Sequence, residues 1–220
     1  MKNIVIIGAS GHARMIIDII ERQEDLKIIG LIDSYKTIGE SLFNYKVIGT
    51  EDAIPDLIKS KTIVGGIIAI GDNYQRYQMF LKLSKTCVNF EYINAIHPSA
   101  IIGKDTLIGI GTVLMPYATV NANSKVGSHC IVNTQSSLGH DSIMENFSSL
   151  GPGSNTGGHV TIKTSSAICI GACITGGITI EKHSVVGAGS VVLKNINAFK
   201  LAYGNPTIEI RDREINESYF

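Results

Sequence analysis

The sequence predicts a parallel-sheet α/β domain of Rossmann-like order over residues 1–97, followed by a parallel β-helix over residues 98–220. Two observations carry this. From residue 100 to residue 195 the chain divides into sixteen six-residue blocks without an insertion, and the third residue of every block is aliphatic except Thr156. Ahead of them, apolar runs of strand length alternate with segments of helical spacing. Neither an α-helix nor a half-buried strand repeats every six residues, whereas a three-faced solenoid does. Strands alternating with helices point to a parallel sheet.

Taken in order, residues 3–8 read as an apolar strand, residues 10–22 as a helix with Ala13, Ile16, Ile17 and Ile20 on one face, and residues 27–33 as a second strand ending in an acid. A helix over 51–60, a strand over 62–70, a helix over 73–85 and a strand over 90–96 follow. His97-Pro98 closes the unit, because proline interrupts regular structure there and the hexads begin. In the solenoid each hexad is one face and three make an eighteen-residue coil, so the aliphatic third positions stack inward on one another. The small fourth positions, Gly103, Gly109, Gly127, Gly139, Gly151, Gly157 and Gly187, are read as the corners. After residue 195 the hexads stop, and the tail ends in charged residues expected to be exposed.

Composition limits the function classes. With 44% hydrophobic and 17% charged residues, 220 residues can fill a large core. Nineteen basic and nineteen acidic residues leave no net charge, so no nucleic-acid partner is expected. Apolar stretches fall short of the roughly 20 residues that span a bilayer, so no membrane partner is expected either. The opening MKNIVIIGAS runs into a glycine-rich turn instead of a cleavage site, which makes the cytoplasm the expected compartment. Cys87, Cys130, Cys169 and Cys173 have no zinc-like spacing and read as reduced, small core residues.

Ligands of open parallel sheets bind beyond the carboxyl ends of the strands. Three polar loops fall there: Gly8, Ser10, Gly11 and His12 after the first strand, Asp33, Ser34 and Lys36 after the second, and Gly71, Asp72 and Asn73 after a later one. The first delivers the chain to a helix N-terminus, whose free N–H groups favour phosphate. The alternative is a tight turn with Ser10 capping the helix.

The segments GASGHARMIIDIIE, LIDSYK, AIGDN, IHPSAIIG, VNTQSSLGHDS and YGNPT together resemble the sialic acid O-acetyltransferases and the nucleotide-amino-sugar N-acetyltransferases, which are hexapeptide-repeat, left-handed β-helix acyltransferases. The resemblance covers about residues 1–210 and implies the handedness of the solenoid. It also implies acetyl-CoA as co-substrate, no metal, a homotrimer, and a nucleotide-linked amino sugar as acceptor, with a 4-amino-4,6-dideoxy sugar for a surface glycan preferred. It places the general base on His140 with Asp141 as its acidic neighbour, the oxyanion amide on Gly158, and coenzyme contacts at Ile170, Ala188, Ser149 and Asn133. At Ser149 the family often has a histidine instead.

The residue types suit that chemistry. An amine must lose a proton on attacking a thioester, and imidazole titrates close enough to neutrality to accept it. Neighbouring residues on extended chain point apart, so Asp141 reaches His140 only if a corner intervenes; Gly139 is the corner expected from the hexad pattern. Adding eighteen to 140 puts Gly158 one coil from His140, about 4.8 Å along the stack. Otherwise His140 and Asp141 are simply exposed corner residues. His129, His159 and His183 share the sixth hexad position, read as a solvent-facing corner. A zinc hydratase of this fold would need three histidines, and five residues after His140 stands Glu145. O-acetylation of a sialic-acid-like sugar and a non-catalytic sugar-nucleotide-binding trimer are the alternatives to N-acetyl transfer.

Overall fold

The computed structural model describes residues 1–219, so Phe220, at the end of the segment assigned to the solenoid, lies outside the described residues. The chain forms two compact units, residues 1–71 with 75–96, and residues 72–74 with 97–220.

The first unit is built on a sheet whose central strand is β1 (Lys2–Ile7), buried over its last four residues. Helix α1 (Gly11–Ile20) returns the chain to β2 (Leu26–Ile32), parallel to β1. A hairpin absent from the sequence reading follows, β3 (Ser41–Leu42) and β4 (Tyr45–Gly49). A short α2 (Ile54–Lys59), β5 (Gly65–Ile68), α3 (Asn73–Thr86) and β6 (Glu91–Tyr92) complete the order β3-β4-β2-β1-β5-β6. Every pairing is parallel except β3 with β4. Val5, Ile7, Ile32, Ile54, Ile68, Leu83 and Phe90 share one core cluster. The reversal of strand order lies between β1 and β5, the place where such sheets open a crevice.

The second unit is the solenoid. Sixteen two-residue strands, from Ile101–Ile102 to Val191–Val192, each occupy the second and third positions of a hexad. They stack into three parallel sheets with partners eighteen residues apart, such as Val113 with Ile131 and Thr119 with Ser137. The coils wind as the left-handed parallel β-helix that the resemblance implies. Third-position side chains including Leu114, Val132, Leu138, Leu150, Ile162 and Val192 fill the axis. First-position hydroxyls are buried too and join consecutive coils: Ser142 Oγ accepts the Val160 N–H (3.0 Å), and Ser166 Oγ donates to the Glu181 carbonyl (2.7 Å).

The corners lie at the sixth position, as read for His129, His159 and His183, and not at the fourth-position glycines. The chain turns at the sixth position, where each of the fifteen residues from Asp105 to Gly189 has φ between 55° and 67° or, at Gly177, 74°. The fourth-position glycines serve another purpose: a Cβ on Gly103 would lie 2.4 Å from the Ala122 nitrogen in the next coil. They are small because coils touch there. Nor is every corner wet. His129 is buried, 1% exposed, and stacks on Phe147 with ring centroids 5.1 Å apart. Among the cysteines, Cys173 is exposed on the outer side of its strand, contrary to the core reading.

The tail does not simply fray into solvent. Lys200–Gly204 pairs in parallel with the Val185–Val186 strand and antiparallel with Thr207–Asp212. Arg213 is buried and donates to the His183 carbonyl (2.8 Å). No helix among the described residues is long and apolar enough to cross a membrane.

Candidate functional site

In the first unit, β1 and β2 deliver their loops to the same edge. Gly8 has φ 106°, and a Cβ there would lie 2.9 Å from the Ala69 carbonyl oxygen, so both conformation and close approach demand glycine. Asp33 ties the two loops together. Its Oδ2 accepts the Ala9 N–H and its Oδ1 the Tyr35 N–H, each at 2.7 Å. Ser10 is exposed at the N-cap of α1, yet its hydroxyl makes no capping bond, so the capping reading is not realised. The N-terminal turn of α1 also carries no acid.

His12 lies in that turn with Nε2 enclosed and without a hydrogen-bond partner among the described residues. Burial, reinforced by the Arg76 guanidinium, lowers its pKa to about 4, so the ring is neutral at physiological pH. Arg76, which the sequence reading missed, is buried and donates to the carbonyls of Ile70 (2.9 Å) and Gly71 (2.8 Å) at the end of β5. It brings a fixed positive charge to the loop edge.

Other predicted loop residues are already engaged. The Ser34 hydroxyl donates to buried Glu51, and Lys36 pairs with Glu40 (2.7 Å) on the surface. Asp72 falls with the second unit. Asn73, expected at the nucleotide, is held within the fold. It is 1% exposed, belongs to the second unit by its packing, and gives its side-chain amide to the Ser166 carbonyl (3.1 Å). A side chain so enclosed and so bonded is a packing element.

In the second unit, the coil containing Gly139, His140 and Asp141 is the best-formed site. His140 Nδ1 is 2.6 Å from Asp141 Oδ2, and its ring is 61% exposed with no partner for Nε2 among the described residues. The corner that allows this is Asp141 itself, at φ 55°, and not Gly139. Gly139 is instead held at both ends: its N–H donates to Thr156 Oγ1 and its carbonyl accepts from Ser124 Oγ, both at 2.8 Å. Thr156, the exception among the third positions, thus accepts a bond where an aliphatic residue could not.

Gly158 lies where the eighteen-residue arithmetic puts it. A Cβ on Gly158 would be 2.5 Å from both Cε1 and Nε2 of His140, so the ring rests against bare backbone. Fifth-position amides stand outside the ladder and bond to side chains elsewhere: Ser128 N–H to Asn146 Oδ1 (2.8 Å) and Thr164 N–H to Glu145 Oε2 (3.0 Å). The Gly158 N–H has no acceptor among the described residues.

Two further residues converge on Asp141. Asn123 Nδ2 donates to Oδ1, and His159 Nε2 is 3.9 Å from Oδ2. The His140 and Asn123 donors, followed by the charge His159 can carry, hold the Asp141 carboxyl below the usual carboxylate range. The pattern reading assigned neither residue, although 141 minus 18 and 141 plus 18 give both positions. Ligand atoms of His140, Asp141 and His159 lie within 4.8 Å of one another, close enough to share a cation. A cation at Asp141 Oδ2 and His140 Nδ1 would have to displace the 2.6 Å hydrogen bond.

The predicted coenzyme contacts divide. Ile170 and Ala188 are exposed at fifth positions of successive coils in one column. Asn133 is half-buried and closes its own turn, accepting the Thr134 N–H on Oδ1 (2.8 Å). Ser149 is 8% exposed, within a strand.

Residues 3–83 match the PglD N-terminal domain family. Over the whole fold, the chain is similar to a histidine-to-asparagine mutant of perosamine N-acetyltransferase from Caulobacter crescentus, solved in complex with CoA and GDP-perosamine. The identity is 30%, over 96% of this chain and 98% of that one, with a TM-score of 0.90. The chain belongs to the nucleotide-amino-sugar N-acetyltransferase family. The chain is also similar in fold to the acetyltransferase domain of PglB from Neisseria gonorrhoeae FA1090 in complex with acetyl coenzyme A. The identity is 26%, over 95% of this chain and 99% of that one, with a TM-score of 0.84. Among curated relatives, UDP-N-acetylbacillosamine N-acetyltransferase of Bacillus subtilis (strain 168) is 34% identical over 116 residues, 52% of each chain. The chain spans about half the length of the curated relatives it matches.

Proposed function

We propose that this family member transfers an acetyl group from acetyl-CoA to the amine of a nucleotide-linked amino sugar, a 4-amino-4,6-dideoxy sugar destined for a surface glycan. The observation that carries it is the His140–Asp141 pair lying against the free Gly158 amide. The Asp141 carboxylate accepts a hydrogen bond from the Nδ1–H and so fixes the tautomer whose Nε2 lone pair acts as base. The sugar nitrogen attacks the thioester carbon and gives its proton to His140. The carbonyl electrons move to oxygen, where the Gly158 N–H stabilises them, and the carbonyl re-forms as the thiolate leaves. No acyl-enzyme is needed.

In this reading the loops at Gly8 to His12 and Asp33 to Lys36 hold the nucleotide. Ile170 and Ala188 line the coenzyme path, and three copies assemble about the helix axis in the cytoplasm. Two relatives support the acceptor class by name, one UDP-linked and one GDP-linked.

The test is free-thiol release from acetyl-CoA with a panel of UDP-, dTDP- and GDP-linked 4-amino sugars and free sialic acid, in wild type and His140→Ala. Release with one amino sugar, lost in the variant, supports the reading and names the acceptor. Release only with sialic acid, or with none of the panel, counts against it.

A further inference from the structure

Asp141 does not stand alone on its corner. Asn123, Asp141 and His159 are separated by eighteen residues and share the sixth hexad position, with φ of 58°, 55° and 58°. Identical backbone conformation on consecutive coils projects their side chains in one column. The ends of that column close on the central carboxylate, Asn123 on Oδ1 and His159 facing Oδ2. The His159 ring also meets the His140 ring edge to face, with centroids 5.2 Å apart and planes at 84°.

We propose that Asn123 and His159 are positioning residues for the acetyl-transfer base, acting through Asp141; this rests on the function proposed above. A half-exposed aspartate beside an exposed histidine has free rotation about its own side chain unless something fixes it. The Asn123 amide holds Oδ1, so that Oδ2 is the oxygen presented to His140 Nδ1. His159 walls off one side of the His140 ring and faces the same oxygen.

The two act in opposite senses on the charge that His140 acquires. The groups acting on Asp141 are His140 on its own corner, Asn123 on the preceding coil and His159 on the following one. Asn123 keeps the carboxylate aligned with imidazolium and so favours it. A proton on His159 competes for the same carboxylate and repels imidazolium, so it disfavours it.

The test uses Asn123→Gly and His159→Asn, because glycine and asparagine both accept the left-handed corner. Histidine ring NMR titration of the full-length protein reads the base directly. The His140 midpoint is expected to move to lower pH in Asn123→Gly and to higher pH in His159→Asn, and these shifts do not require turnover. In acetyl transfer, each variant is expected to lose about tenfold in kcat with KM for acetyl-CoA unchanged, a fraction of what a general base supplies. The acid limb of kcat/KM is expected to follow the NMR midpoint. Unmoved midpoints, or both moving the same way, overturn the proposal whether or not the acceptor has been found. If the midpoints shift as expected while wild type turns over none of the panel, the failure lies with the acceptor reading.

Discussion

The Gly139 N–H donates to the Thr156 hydroxyl at 2.8 Å, where other fourth-position amides, such as Gly127 and Gly157, donate to the backbone carbonyl of the next coil. Strand pairing records the same change, for Ser137 pairs with Asn155 but the register does not continue to Leu138 and Thr156. The repeat is interrupted immediately before the base.

Thr156→Val restores the aliphatic repeat at nearly constant volume. The Gly139 N–H is then free to take the backbone carbonyl, as its equivalents do, so urea unfolding should change by no more than about 1 kcal/mol. The Gly139–His140 corner shifts as that bond forms, and kcat should fall about tenfold. A loss of stability with unchanged kcat would show that Thr156 serves packing alone.

Gly139→Ala tests the approach of the coils. A Cβ there would lie 1.9 Å from the Gly157 carbonyl oxygen, and the glycine is not at a left-handed φ, so the penalty is purely steric. Forced separation of coils should destabilise the protein by about 1–3 kcal/mol. Activity should drop more than the unfolded fraction explains, because the shift falls between His140 and Gly158. Chemical denaturation alongside initial rates makes the comparison.

Asp141→Asn keeps a residue that tolerates φ 55° and removes the charge. The fold should be untouched in thermal unfolding, while kcat/KM should fall about 10²- to 10⁴-fold through loss of imidazolium stabilisation and of the Nε2 lone pair. Wild-type activity in this variant would reduce the carboxylate to a surface group.

His12 couples stability to pH. Its folded-state pKa of about 4 is below the ordinary histidine value of 6.5, so between those values the unfolded chain binds more protons than the native one. The contribution is fully present above pH 6.5, falls as pH drops from 6.5 to 4, and is then gone. Integrated over that window it is on the order of 3 kcal/mol. Urea unfolding at pH 7 and pH 5 should show a steeper loss for wild type than for His12→Gln. Parallel losses would mean that the ring is not held neutral.

What the sequence made legible, and what it did not, follows from how each feature is encoded. The hexads and the His140–Gly158 juxtaposition are periodic, so counting along the sequence is enough to find them. The β3–β4 hairpin lies in SLFNYKVIG, nine residues without enough alternation to mark two short strands. Arg76 sits within a helical pattern where arginine ordinarily faces solvent, and only its carbonyl partners at the end of β5 reveal why it is buried. Asn123 and His159 lie eighteen residues on either side of Asp141, so the arithmetic that places Gly158 beside the base places both beside its carboxylate. Glycine is an ambiguous sign of a turn in this repeat, whereas the sixth position, marked by His129, His159 and His183, is the corner. The fourth-position glycines answer to crowding between coils, while asparagine, aspartate and histidine occupy several left-handed positions.

The eighteen-residue stacking of residues 123, 141 and 159 also governs how this protein tolerates changes in length. Duplicating or losing a complete coil downstream of residue 159 returns every later side chain to the same face, so the site between Asn123 and His159 does not register the event. A single hexad gained or lost between Asn123 and His159 turns everything after it by one face of the prism and separates the carboxylate from a neighbour it needs. Whole-coil changes in the height of the solenoid therefore leave the geometry around Asp141 intact, while the two coils around Asp141 are fixed in count to the residue.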